Sequence, residues 1–121
     1  MLTVTKIVEF EAAHTLPRHT GKCKNLHGHT YRLEVEVERS NGINALSEDG
    51  MVVDFSYVKA ALAPVIEKMD HSYLNDSTGL EMPTAESMIL WLKENVIWPD
   101  GVHPVRIRLW ETSNSYAEWK E

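Results

Sequence analysis

Cys23-Lys24-Asn25-Leu26-His27-Gly28-His29 is the stretch of this chain best equipped for chemistry. It carries two imidazoles at i and i+2, and a thiol four residues before the first. Side chains repeat their direction every two residues along a β-strand. If His27 and His29 open a strand, both rings leave one face and can meet one ion. A third imidazole, His14, ends the strand-like run Phe10-Glu11-Ala12-Ala13-His14. Three neutral imidazoles with a fourth position open form a donor set of catalytic Zn²⁺. On spacing alone, Cys23 serves equally well as a fourth ligand closing a structural Cys-His₃ site or as a catalytic thiol. His19 and His103 read as solvated loop histidines.

The elements that must position these groups follow from periodicity. Thr3 to His14 reads as a strand with Phe10, Ala12 and His14 sharing a direction. Thr30 to Arg39 is clearer: Tyr31, Leu33, Val35 and Val37 alternate with Arg32, Glu34, Glu36 and Glu38. His27 and His29 share parity with the apolar set, so an unbroken strand places them on the core face. A β-bulge between Gly28 and Tyr31 would spoil that parity. Asp54 is an N-cap candidate for a helix whose stripe is Val58, Ala61, Leu62, Val65, Ile66 and Met69. A bend is expected at Pro64. Asp70 to Asp76 is a polar segment. Thr84 caps a second helix, with Ala85, Met88, Ile89, Leu92 and Val96 inward.

Val105 to Glu111 reads as a strand and Ser115 to Trp119 as the last one. Glu111 has the apolar parity, an expensive place for a carboxylate unless it is paired or has work to do. The order β-β-α-α-β-β predicts an α+β fold, an antiparallel sheet with two helices on one face. Glu34, Glu36 and Glu38 are expected to face Arg106 and Arg108 on the other.

A length of 121 residues suits one domain, spanning 1–121. Hydrophobic and charged fractions of 43% and 25% are those of an ordinary globular protein. A formal net charge of −6 argues against general nucleic-acid binding, which needs basic surface. One cysteine cannot form an intrachain disulfide. The opening Met1-Leu2-Thr3-Val4-Thr5 lacks a signal-peptide pattern and no apolar run reaches membrane-spanning length. A cytoplasmic location with no membrane partner is therefore expected. No Gly-x-Gly-x-x-Gly is present to bind a nicotinamide.

Four features coincide: Phe10-Glu11-Ala12-Ala13-His14, Cys23-x3-His27-Gly28-His29, Asp70-His71, and Glu111-Thr112 at a strand end. Together they resemble the 6-pyruvoyl-tetrahydropterin synthase family, most of all its bacterial 6-carboxy-tetrahydropterin branch of the queuosine pathway. The three-residue gap between Cys23 and His27 favours that branch. The resemblance implies that His14, His27 and His29 hold zinc, that Cys23 accepts a proton, that His71 with Asp70 forms a relay, and that Glu111 anchors a pterin. Thr84 and Glu86 fall where the family has similar residues and are further candidate substrate contacts. For Glu86 the role of a first-turn helix charge, favoured by the dipole, is the preferred reading over a second pterin contact.

The implied fold is the tunnelling fold, in which sheets of several subunits close into a barrel. A homo-hexamer of two trimers with active sites between subunits is expected. The implied reaction converts 7,8-dihydroneopterin triphosphate to 6-carboxy-tetrahydropterin, acetaldehyde and triphosphate. Triphosphate elimination to the pyruvoyl product is the second reading. A reading of another class is a non-catalytic, zinc-stabilised module that binds a pterin or a protein. A free Cys23 beside an open zinc position favours the enzyme, and a Cys23–zinc bond of about 2.3 Å favours the module.

Overall fold

The computed structural model describes residues 1–121. Strands β1 (Val4–His14) and β2 (His27–Arg39) pair antiparallel from Val4↔Val37 to His14↔His27 without interruption. No bulge falls between Gly28 and Tyr31 in that pairing, so the parity expected for His27 and His29 holds. Helix α1 (Phe55–Met69) follows, capped by Asp54, whose carboxylate accepts the Ser56 N–H at 2.8 Å. It runs through Pro64 as one element. Pro64 and Ala60 are both exposed, so water can satisfy the carbonyl that loses its i+4 donor.

Two elements were not expected. Strand β3 (Ser72–Tyr73) pairs parallel with β1 at Ala12 and Ala13, and helix α2 (Leu74–Ser77) is one turn long. Both lie in the segment read as an irregular polar stretch, and both are too short to carry periodicity. The order is therefore β1-β2-α1-β3-α2-α3-β4-β5, with three helices and one parallel pairing. Helix α3 (Ala85–Asn95) is capped by Thr84 Oγ1, which accepts the Ser87 N–H at 3.1 Å. Strands β4 (Val102–Thr112) and β5 (Ser115–Lys120) complete a sheet of order β3-β1-β2-β4-β5.

One face of the sheet carries the core. Phe10, Tyr31, Leu33, Val35, Ile107 and Leu109 are buried with Val58, Leu62 and Met69 of α1 and Met88, Ile89 and Leu92 of α3. Each such side chain contributes roughly 1.5–3 kcal/mol on burial, and together they fix the sheet beneath both helices. On the other face, Arg106 Nε donates to Glu36 at 2.7 Å and Arg108 Nε to Glu118 at 2.8 Å. Glu34 is buried there and accepts the Trp110 indole N–H. The expected pairing of Glu38 with an arginine does not occur; it faces His103 at 3.2 Å.

That change comes from a register shift between β2 and β4. Glu36 pairs with Arg106, but Val37 pairs with Pro104, leaving Val105 as an extra residue. The bulge inverts parity below Val105, so Val102 turns inward and His103 joins Glu38 on the polar face. His103 is thus a strand residue with partners, not the solvated loop histidine expected. A second shift between Trp110 and Thr112, where β4 meets β5, leaves Glu111 as the extra residue.

Candidate metal centre and active site

Register alone brings three histidines together. His14 is opposite His27 across the β1–β2 pair, and His29 is one step along the same face, opposite Ala12. His14 is fully buried, and His27 and His29 are half-buried. Glu111 shares the parity of Ile107 and Leu109 and reaches this group from the second bulge of β4. One ligand atom from each of His14, His27, His29 and Glu111 lies within 4.8 Å of all the others.

The hydrogen bonds around the rings decide which atoms face inward. His14 Nδ1 lies 2.8 Å from the Pro83 carbonyl, and His27 Nδ1 lies 2.6 Å from the Asn25 carbonyl. A carbonyl only accepts, so each Nδ1 is the donor and each Nε2 presents a lone pair. Those two lone pairs meet at 3.0 Å. Two facing acceptors are repulsive unless a cation lies between them. A tetrahedral zinc with Zn–N bonds of the usual length separates its nitrogens by about 3.3 Å. His29 Nε2 is enclosed and without a hydrogen-bond partner; Glu111 Oε1 approaches to 3.0 Å but out of line for one. Backbone carbonyls that fix ligand tautomers in this way are the usual outer support of a metal site.

Electrostatics keep the rings ready. Burial pulls the pKa of His14 below its ordinary value, against the Pro83 carbonyl and the charge of Glu111, and His27 pulls it further. His29 is lowered for the same leading reason. Both are therefore neutral at neutral pH, the form that ligates a metal. Tyr31, buried beneath them with its hydroxyl 3.4 Å from His14 Nδ1, is held protonated by burial and by the charge of Glu111. The donor set of three imidazoles and one nearby carboxylate fits zinc.

Of the other expected site residues, Glu86 and Glu111 line one cleft of about 580 Å³, with Thr112, Ser115 and Tyr116. Thr84 is committed to capping α3, its hydroxyl also 3.0 Å from Ser87 Oγ. Cys23 sits half-buried in a 3₁₀ turn, Lys22–Lys24, and is not among the converging atoms. Asp70 does reach His71: Nδ1 lies 3.0 Å from Asp70 Oδ1. The same oxygen accepts the Glu11 N–H at 2.9 Å. That backbone bond, reinforced by His71 and opposed by desolvation, holds the Asp70 carboxyl below its ordinary pKa. His71 has a left-handed backbone, φ +56°, at the position after the α1 cap where glycine is usual. Its ring is 78% exposed.

The family described as 6-pyruvoyl tetrahydropterin synthase matches residues 3–121. This chain belongs to that family. A 6-carboxy-5,6,7,8-tetrahydropterin synthase of Synechocystis sp. is 44% identical, over 98% of this chain and 93% of the relative. The protein of the same name from Haemophilus influenzae is 32% identical over the full length of both. The structure of Caenorhabditis elegans 6-pyruvoyl tetrahydropterin synthase superposes with a TM-score of 0.75 at 24% identity, covering 99% of this chain and 95% of that one. The fold is thus that of the 6-pyruvoyl tetrahydropterin synthase family.

Some parts of the site of this family member lay outside the reach of periodicity. The Pro83 and Asn25 carbonyls that set the tautomers are backbone groups, which no residue type reveals. Glu11 clamps the Asp70–His71 pair by accepting the His71 N–H as well as donating to Asp70. Its position in the Phe10–His14 motif is the only sequence signal for that role.

Proposed function

We propose that this chain is a zinc-dependent carbon–carbon lyase that converts 7,8-dihydroneopterin triphosphate and one water to 6-carboxy-tetrahydropterin, acetaldehyde and triphosphate. The observation that carries the reading is the convergence of the His14 and His27 Nε2 lone pairs at 3.0 Å beside the partnerless Nε2 of His29. The relatives named 6-carboxy-5,6,7,8-tetrahydropterin synthase support the choice of product.

His14, His27 and His29 hold the metal. Zinc bound there acts as a Lewis acid that acidifies the protons of a substrate side chain. The remaining steps belong to the chain itself. Glu111 accepts the paired N–H donors at the edge of a pterin, a bidentate charge-assisted contact, and Glu86 closes the same cleft. Thr84 acts by setting the start of α3, which carries Glu86. Cys23 takes a proton from the substrate side chain. His71, with Nδ1 turned to Asp70, leaves Nε2 free to carry a proton in or out. Electrons move within the substrate, so no redox cofactor enters.

Assembly completes the proposal. Strand β3 covers β1 only at Ala12 and Ala13, and β5 is bordered on one side alone. Long open edges favour pairing with another chain, which supports a barrel made from several sheets and a hexamer of two trimers. A cytoplasmic role in queuosine synthesis fits this activity.

The test is to incubate zinc-loaded protein with 7,8-dihydroneopterin triphosphate and identify products by mass. 6-Carboxy-tetrahydropterin with acetaldehyde and triphosphate is the expected set. A pyruvoyl product would move the chain to the other branch, and unchanged substrate would overturn the enzymatic reading.

A further inference from the structure

Strand β4 carries a bulge at each end, and each bulge lies beside a cluster of histidine and glutamate. One is the candidate metal centre. We propose that the other cluster, His103 with Glu38 and Glu121, is a second divalent-cation site at the opposite end of the sheet.

Three neighbouring segments build it. Glu38 of β2 is directly opposite His103 of β4 because the bulge at Val105 has inverted the register. The carbonyl of the bulged Val105 accepts the Glu121 N–H at 2.9 Å, which ties the residue following β5 against β4. As a result His103 Nε2 lies 3.2 Å from Glu38 Oε1 and 3.3 Å from Glu121 Oε2. Ser40 Oγ lies 2.8 Å from His103 Nδ1 and fixes the ring. When that hydroxyl accepts from Nδ1–H, Nε2 and the two carboxylates offer three ligand atoms within 4.8 Å of one another, which a cation can join; when it donates to Nδ1, an Nε2 proton bridges the glutamates instead.

Charge singles the cluster out from the rest of this face. Glu36 is paired with Arg106, and Glu118 with Arg106, Arg108 and Lys120. Glu38 and Glu121 have no lysine or arginine partner; His103 alone stands between them. Two carboxylates and an imidazole, open enough for water to fill further positions, suit a divalent transition-metal cation such as Zn²⁺ or Mn²⁺. A cation there would fasten the end of β2, the start of β4 and the segment after β5, stiffening the edge strand β5. The site stands apart from the lyase reading and needs none of its residues.

Zn²⁺ alone is the probe, with binding to the full chain followed by equilibrium dialysis and elemental analysis at neutral pH. Two equivalents per chain are expected. His103→Ala and, as a milder change, Glu121→Gln should each retain one equivalent and weaken the other at least tenfold. His27→Ala should do the reverse, losing the first and keeping the second, so that failure of either site is seen separately. Saturation of the unaltered chain at one equivalent lost in His27→Ala would mean that a proton, not a metal, bridges the glutamates. That result, or a second equivalent undiminished in both His103→Ala and Glu121→Gln, overturns the site.

Discussion

Replacing Glu111 by glutamine tests whether this carboxylate reads the substrate or holds the metal. The side chain is 27% exposed, with Oε1 3.0 Å from His29 Nε2 and 3.9 Å from His14 Nε2. Its charge raises the pKa of both histidines against the larger effect of burial. Without that charge both rings stay neutral to still lower pH, so the zinc ligands remain competent and metal content should not fall. The pterin contact is different. Glutamine removes the charge and one acceptor, and turns a donor towards the pterin's own donors. Losing a charge-assisted hydrogen bond costs about 1.5–3 kcal/mol, which is about ten- to hundred-fold in affinity. Calorimetric titration with a non-reacting pterin measures that loss, and elemental analysis of the same preparation measures zinc. Unchanged affinity would refute the assignment and transfer the contact to Glu86, which shares the cleft. Loss of zinc instead would make Glu111 a fourth ligand.

Cys23→Ala should keep zinc and fold while turnover falls by ~10²–10⁴, the usual worth of a general base; loss of metal in that variant would return the thiol to a structural role. His27→Ala should strip zinc from the primary centre, and full occupancy of that centre by elemental analysis would sink the ligand set. The metal-free chain should lose stability as pH falls through 6.5. The unfolded histidines, with ordinary values, take up protons before His14 and His29, whose folded values burial has lowered. The contribution is complete above 6.5 and lost towards the folded values, so a melting temperature that rises on acidification from pH 7.5 to 5.5 would contradict it. Sedimentation should find a hexamer, and a monomer at micromolar concentration would leave the sheet edges without their partners.

Much of the primary centre was legible because a strand has a strict period. Parity placed His27 and His29 on the face of Tyr31 and Leu33, and an unbroken β1–β2 register set His14 opposite. Period-2 reasoning fails wherever the ladder gains a residue. The bulge at Val105 moved His103 from an expected loop to the side of Glu38, and no residue type announces it. Strand β3 and helix α2, two and four residues long, gave no pattern to read. The roles of Asp70, His71 and Cys23 came from the family resemblance; local composition alone leaves Asp70-His71 a turn.

The placement of those last residues bears on why the protein should assemble. Proton transfer needs a donor and acceptor within about 2.6–3.2 Å, or one water between them. Within one chain Cys23 and His71 both stand outside the group of converging nitrogens. Glu11 holds the His71 pair at two points: its N–H binds the Asp70 carboxylate and its carbonyl binds the His71 N–H. A histidine held at φ +56° costs of order 1–3 kcal/mol. The ring is exposed to solvent at the lightly covered edge of β1. His71 lines an open cavity of about 440 Å³ together with Glu11, His29 and Thr30 of its own chain. In the proposed ring of sheets, the Asp70–His71 pair would meet a substrate held by the histidines and Glu111 of a neighbouring chain, and the same contact would cover the open edges.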